Sequence, residues 1–173
     1  MLIEVQDLNE QGRPFDLTYA PRDLSLDDDS ARLIADARIR GRATRKRDEV
    51  QVRGEIQTTV ELSCDRCLAP VAVPVNVEFA ALFGQEAEAS AEAKELQGDD
   101  LDFSVYEGDS INLDEIVREQ ILLALPLRQL CRDDCQGLCA TCRADLNTQT
   151  CGCRHAEIDP RWAALKELKQ SDG

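Results

Sequence analysis

The residues of this 173-residue chain best suited to chemistry are its eight cysteines, and they fall in only two places. Cys64 and Cys67 form one C-x2-C pair, while Cys131, Cys135, Cys139, Cys142, Cys151 and Cys153 are packed into 23 residues. The later spacings are C-x3-C at 131/135, C-x2-C at 139/142 and C-x-C at 151/153. A zinc ion takes four ligands in a tetrahedron, and cysteines two or three residues apart can turn both sulfurs onto one ion. Four pairs therefore suit two structural Zn2+ ions. Spacing alone leaves the pairing open. Cys139, Cys142, Cys151 and Cys153 are close enough to close a local loop, with Gly137 and Gly152 easing tight turns. That arrangement leaves Cys64 and Cys67 to join Cys131 and Cys135 across a long gap and to clamp the two regions together. Each ion would supply on the order of 10 kcal/mol of folding free energy.

Other uses of the cysteines make different demands. Four disulfides would suit an exported protein, yet the N-terminus lacks a basic segment followed by an apolar one. A redox-active C-x-x-C at 64/67 would be expected at a strand-to-helix junction rather than in a β-turn. Iron–sulfur ligation shares the residue type and is not distinguished by spacing. No run approaches the roughly 20 apolar residues that cross a bilayer. The expected compartment is the cytoplasm, where clustered thiols stay reduced and bind metal.

Catalysis finds no evident centre. Two complete four-cysteine tetrahedra leave no open coordination position. His155, the single histidine, reads as a surface residue beside a metal loop. The carboxylates lie in solvated runs, and neither a phosphate-binding glycine loop nor a nucleophile elbow is present. The expectation is a non-enzymatic protein with no small-molecule substrate.

The elements that must position the cysteines are mostly strands. Short strands are predicted at 2–8 and 15–19. Leu33, Ala35, Ala37 and Ile39 then alternate with arginines, the period of a strand with one buried face. Val50, Val52, Ile56, Val60 and Leu62 make the clearest strand, and Val71, Val73, Val75, Val77 and Phe79 make the next. Pro74 has no N–H to give a ladder, which predicts an edge strand or a bulge. The C-x-x-C at 64/67 falls in the turn between these last two strands. Residues 84–102 read as a solvated acidic insertion with a transient helix over 86–96.

Asn112 with Glu115 opens a helix whose apolar face is Leu113, Ile116, Val117, Ile121 and Ala124, and Pro126 ends it. Asp159-Pro160 opens a short C-terminal helix over 160–169. The predicted fold is α+β: an antiparallel β-meander or partly closed barrel, one covering helix, a cysteine-rich zinc-binding segment and the C-terminal helix. Its parts are a β-rich core over 1–126 and a zinc-binding segment over 127–173.

The net charge of −14 argues against broad, non-specific nucleic-acid binding. Charge is uneven, however. Twelve acidic residues fall between Glu86 and Glu119, whereas Arg38, Arg40, Arg42, Arg45, Lys46 and Arg47 crowd into ten residues. On a strand, Arg38, Arg40 and Arg42 would project from one face about 7 Å apart, near the spacing of successive phosphates. This cluster is the candidate surface for RNA or another acidic partner. Arg128, Arg132, Arg143 and Arg154 would balance the charge of the thiolates.

Several segments together carry a resemblance: Glu61-Leu-Ser-Cys64-Asp-Arg-Cys67-Leu, Arg118-Glu-Gln-Ile-Leu-Leu-Ala-Leu-Pro126-Leu-Arg-Gln-Leu-Cys131, Cys135-Gln-Gly-Leu-Cys139-Ala-Thr-Cys142-Arg-Ala-Asp-Leu-Asn147 and Asp159-Pro-Arg-Trp-Ala-Ala-Leu165. In this order the chain resembles, over residues 33–168, the bacterial and plastid YceD family of large ribosomal RNA subunit accumulation proteins. The resemblance implies a part in 23S rRNA accumulation or processing and in large-subunit biogenesis. The implied partners are 23S rRNA or proteins of the pre-large subunit, with no membrane involved. It brings no catalytic residues. Some members look as though they lack the 139–153 cysteines, which agrees with two separate sites. A thiol-disulfide oxidoreductase or redox sensor built on Cys64 and Cys67 is the alternative, and a zinc-ribbon transcription regulator, which would bind DNA, is a third class.

Overall fold

Alternation of β-branched residues with polar ones makes this chain mostly sheet, and its single described helix covers one face. The computed structural model describes residues 1–47, 49–85, 103–106 and 108–153. In chain order the elements are β1 (Leu2–Glu4), a 3-10 turn (Val5–Asp7), β2 (Arg13–Tyr19), β3 (Ala31–Leu33), β4 (Ala37–Lys46), β5 (Glu49–Ser63), β6 (Pro70–Gln85), β7 (Phe103–Tyr106), β8 (Ser110–Asn112) and α1 (Leu113–Ala124).

The main sheet runs β2-β4-β5-β6-β7, with β3 beside β5 beyond the end of β4. It is open, with no closed barrel among the described residues. β5 is its spine, paired antiparallel with β6 from Val50↔Phe83 to Ser63↔Pro70. Even-numbered residues of β5 point inward: Val50, Val52, Ile56 and Val60 are fully buried. On the covering side lie α1, through Leu113, Ile116, Val117 and Ile121, and the small β1–β8 ribbon, through Ile3 and Ile111. Leu24 and Leu26 close the layer, and Arg118 ties α1 to their loop through the Ser25 carbonyl at 2.7 Å.

The helix begins where the sequence predicts. The Asn112 side chain accepts a hydrogen bond from the Asp114 N–H at 3.1 Å. Glu115 bonds the Asn112 side-chain amide at 2.9 Å rather than its backbone N–H, so the capping box is only half made. A hydrogen bond from the Tyr19 hydroxyl to Asp114 joins β2 to this helix start.

Several expectations are corrected. The strand expected at 2–8 stops at Glu4 and turns into the 3-10 segment. The strand read from Leu33 is two strands, because the chain leaves the ladder between Leu33 and Ala37 and exposes Ile34. Among the described residues the partly closed barrel is not formed: β2 and β7 are separate edges. β6 continues to Gln85, into the expected insertion. β7 then returns parallel to it, from Leu82↔Phe103 to Gln85↔Tyr106, a pairing with no local signature. Pro74 sits opposite Thr59, in the part of β6 with no second strand beside it among the described residues. The expected helices at 86–96 and 160–169 lie outside the described residues, as do His155 and Arg154.

Candidate metal centres

The β5–β6 connection carries Cys64 and Cys67, and the segment after α1 brings the other six cysteines back to it. The structure gathers the sulfurs into two groups, Cys64/Cys67/Cys131/Cys135 and Cys139/Cys142/Cys151/Cys153, each with all four atoms within 4.8 Å of one another. The Cys64 and Cys135 sulfurs are 3.8 Å apart and those of Cys67 and Cys131 are 3.6 Å apart. A zinc ion with Zn–S bonds of about 2.3 Å sets the edge of its sulfur tetrahedron near 3.8 Å. A disulfide would need about 2.05 Å, and all eight cysteines are free. A multi-iron cluster would hold its thiolates farther apart, since each then binds a different iron. Each group fits one ion.

The two C-x-x-C turns are built alike. In each, the residue after the second cysteine takes the left-handed conformation, Leu68 at φ 62° and Arg143 at φ 59°. Its N–H closes the turn on the carbonyl of the first cysteine, both at 2.9 Å. The fold of each turn aims backbone donors at the first sulfur. The N–H of Cys67, and after it that of Arg66, brings Cys64 down to about 6. The N–H groups of Cys142 and Thr141 do the same for Cys139, also to about 6. Cys131 is pushed up to about 12, chiefly by its side-chain hydrogen bond with Cys67, and Cys153 to about 12 by its bond with Cys142. Cys67 and Cys131 in the first group, and Cys151 and Cys153 in the second, are raised and so hold protons in the metal-free groups, whereas Cys135, opposed by its burial, is lowered with the help of the Asn147 side chain. A divalent cation displaces those protons, so metal affinity falls as the pH falls.

The first group is a clamp. The Asp65 N–H bonds the Gln129 carbonyl at 2.9 Å and the Gln129 N–H bonds the Asp65 carboxylate at 2.7 Å. Arg66 donates to the Cys135 carbonyl at 2.7 Å. Its own carbonyl accepts from Leu138 at 3.0 Å. Cys64 and Cys135 are fully buried and Cys131 is exposed, so the group faces solvent on one side. Gly137 is required beside it: at φ 75° an added Cβ would also lie 3.0 Å from the Arg66 carbonyl oxygen.

The second group closes locally, as its spacing predicts, but its loop is also tied to the first group. Asn147, between Cys142 and Cys151, reaches back to the first group. Its amide lies 3.5 Å from the Cys135 sulfur, and its carbonyl oxygen accepts from the Gln136 N–H at 2.8 Å and from Arg132 at 2.9 Å. Asp145 holds that amide at 2.7 Å. Asn147 is therefore an outer-shell partner of the first site, supplied by the loop of the second. Spacing gives no sign of this role; an Asx turn at Asp145-Leu146-Asn147 is the only local trace. Outer-shell losses cost about 10–100-fold in metal affinity. In chelator competition with added zinc, Asn147→Ala should hold metal at one of the two groups at least tenfold more weakly than the wild type. Unchanged affinity for both would disprove the coupling.

The basic residues lie elsewhere, on the outer face of the sheet. Arg38, Arg40 and Arg42 are exposed there, Arg45 is half-buried, and Lys46 and Arg47 are exposed at the β4 end. Arg53 stands directly opposite Arg42 and extends the cluster, a contribution the sequence reading missed because it comes from β5. Acidic residues interleave: Arg40 pairs with Asp16 at 3.1 Å, and Glu55 and Glu78 lie in the same row. The predicted face is thus a mixed surface with its densest positive charge at Arg42 and Arg53.

Fold and site together define a class: an α+β protein whose sheet turn is stitched to a distal segment around two four-cysteine groups. The family pattern described as "Large ribosomal RNA subunit accumulation protein YceD" matches residues 52–169. The chain belongs to the YceD family. A protein of Mycobacterium tuberculosis is 33% identical over 157 residues, covering 88% of this chain and 72% of its own. YlbN of Bacillus subtilis is 26% identical over 172 residues, 99% of this chain and 96% of its own. An Arabidopsis thaliana relative, large ribosomal RNA subunit accumulation protein YCED homolog 1, chloroplastic, is 22% identical over 148 residues, 73% of this chain and 46% of its own. No solved structure matches the chain.

Proposed function

We propose that this protein is a non-enzymatic, cytoplasmic accessory factor for accumulation and processing of 23S rRNA in large-subunit assembly, held in shape by two structural zinc ions. The observation that carries the reading is the family match over residues 52–169. The cysteine geometry supports the metal: four sulfurs at tetrahedral spacing, with backbone N–H donors around them, suit a closed zinc site that gives shape rather than reactivity. The thiol-redox alternative finds no support, because Cys64 and Cys67 share their group with two further sulfurs.

RNA would meet the outer face of the sheet at Arg38, Arg40, Arg42 and Arg53, with Lys46 and Arg47 at its end. The rigid strands fix the spacing of these side chains, and Asp16, Glu55 and Glu78 limit contact to a narrow stripe. No described helix is long and apolar enough to cross a membrane.

The test is the triple variant Arg38→Glu, Arg40→Glu, Arg42→Glu. Its association with pre-large-subunit particles should fall about tenfold or more at physiological salt, with zinc content unchanged. Association with ribosomal proteins in place of RNA would show as crosslinks to protein alone. Wild-type co-sedimentation of the triple variant would refute the assigned face.

A further inference from the structure

Beside the first cysteine group lies a cleft of about 490 Å³ lined by Arg66, Arg128, Gln129, Leu130 and Asp133. That volume suits a small ligand. Two guanidinium groups and one carboxylate give it one net positive charge, in a chain whose formal net charge is −14. The arginines assigned to RNA above are elsewhere, on the outer face of the sheet. Arg53 and Ser63 are ten residues apart in β5, about 33 Å, and Arg66 lies beyond that end. The walls of the cleft are held in place. Arg66 gives one N–H to the Cys135 carbonyl at 2.7 Å. Gln129, next to Arg128, is bonded in both directions to Asp65. The clamp that gathers the sulfurs therefore also sets the two arginines side by side.

We propose that this cleft binds one ribose-phosphate unit of an RNA chain, with Arg66 and Arg128 on the phosphate and Asp133 on the 2′-hydroxyl; the proposal rests on the reading of the protein as an rRNA-binding factor. Balancing the thiolates does not occupy these arginines. The side-chain donor at the Cys135 sulfur is the Asn147 amide, and backbone N–H groups of Cys67 and Arg66 serve Cys64. Among the described residues neither Arg66 nor Arg128 is in an ion pair, even with Asp133. A guanidinium offers a planar fork of N–H groups that matches phosphate oxygens. One phosphate matches the single net charge of the cleft. A carboxylate there repels a bare phosphate, but it accepts from the hydroxyl that separates RNA from DNA. An RNA that reaches both this cleft and the outer face is held at two points, so loss of either weakens the whole contact.

The test is binding of a 23S rRNA transcript to the full-length zinc-loaded protein, measured over a series of salt concentrations. Arg128 is exposed and makes no side-chain hydrogen bond among the described residues, so Arg128→Ala leaves the fold and the zinc content intact. It should weaken binding severalfold and lower the slope of log affinity against log salt by about 1, the signature of one lost phosphate contact. Arg22→Ala, outside both basic regions, should keep the wild-type slope. Asp133→Ala should lower the preference for RNA over DNA of the same sequence severalfold. A wild-type slope in Arg128→Ala, an equal loss in Arg22→Ala, or an RNA preference unmoved by Asp133→Ala would overturn the proposal and leave the outer face to its own triple variant. Arg128→Ala that binds transcript normally but leaves pre-large-subunit particles would also overturn it, and would assign the cleft to an acidic protein. A wild-type protein that binds no transcript would overturn the RNA reading itself, and this proposal with it.

Discussion

Replacing Cys64 with serine is expected to release one of the two zinc ions proposed above and to loosen the join between the sheet and the described residues after α1. Cys64 is fully buried, and its sulfur sits at tetrahedral spacing from that of Cys135. The turn that carries it also exchanges backbone hydrogen bonds with Gln129 and Leu138. A structural zinc site contributes on the order of 10 kcal/mol, against a net stability of about 5–15 kcal/mol for a whole domain. Loss of that site should therefore lower the thermal midpoint sharply and make residues 127–153 sensitive to protease. Cys151→Ser provides the contrast. It should also lose one ion, but the β5–β6 turn keeps its own four sulfurs, and the far-UV signal of the sheet should persist. Metal analysis with limited proteolysis and thermal melts checks both variants. Two zinc ions and an unchanged midpoint in Cys64→Ser would show that this group is not the clamp.

Gly41→Val should be nearly as damaging, through sterics alone. Gly41 lies opposite Gly54 in the β4–β5 ladder, on the inner face of the sheet. A Cβ at position 41 would lie 2.3 Å from the Arg53 carbonyl oxygen and 2.4 Å from the Phe15 ring. At position 54 it would lie 2.6 Å from the Arg40 carbonyl oxygen and about 3.0 Å from Phe79. The two aromatic rings thus cover two adjacent glycines. Any side chain on either glycine must push a ring or a strand away. Overpacking of this kind costs about 3 kcal/mol, which lowers the melting midpoint by roughly 10 °C in a chain of this size. Trimming the ring in Gly41→Ala/Phe15→Leu should restore part of the loss relative to Gly41→Ala alone, and the double-mutant cycle measures how much. Gly152→Ala serves as the control: a Cβ there meets nothing within 4 Å. If Gly41→Val melts with the wild type, the strands are not packed as closely as described.

The parts of the molecule that could be read ahead of the structure are those governed by short-range rules. The alternation through β4, β5 and β6 follows from a pleat that points successive residues to opposite faces, and those strands form with their β-branched side chains inward. The helix from Leu113 could be read from Asn112 and Pro126, because a cap and a missing N–H act within one turn. The break at Ile34, the strand β7 and the β1–β8 ribbon could not, since short strands are stabilised by partners remote in sequence. Asn147 escaped notice for the same reason: its hydrogen bond crosses from one cysteine loop to the other.

The division is clearest at the cysteines themselves. The sequence alone determined that four closely spaced pairs exist, and that pairs of this spacing suit two metal ions. Only the tertiary structure decided which pairs meet, because Cys64 and Cys131 are 67 residues apart and nothing local selects a partner at that distance. It also decided that the two loops share a hydrogen bond, and that the arginines of β4 stand among carboxylates from β2, β5 and β6. Both follow from one cause: the composition of a face is the sum of neighbouring strands, and it exists only once their register is set.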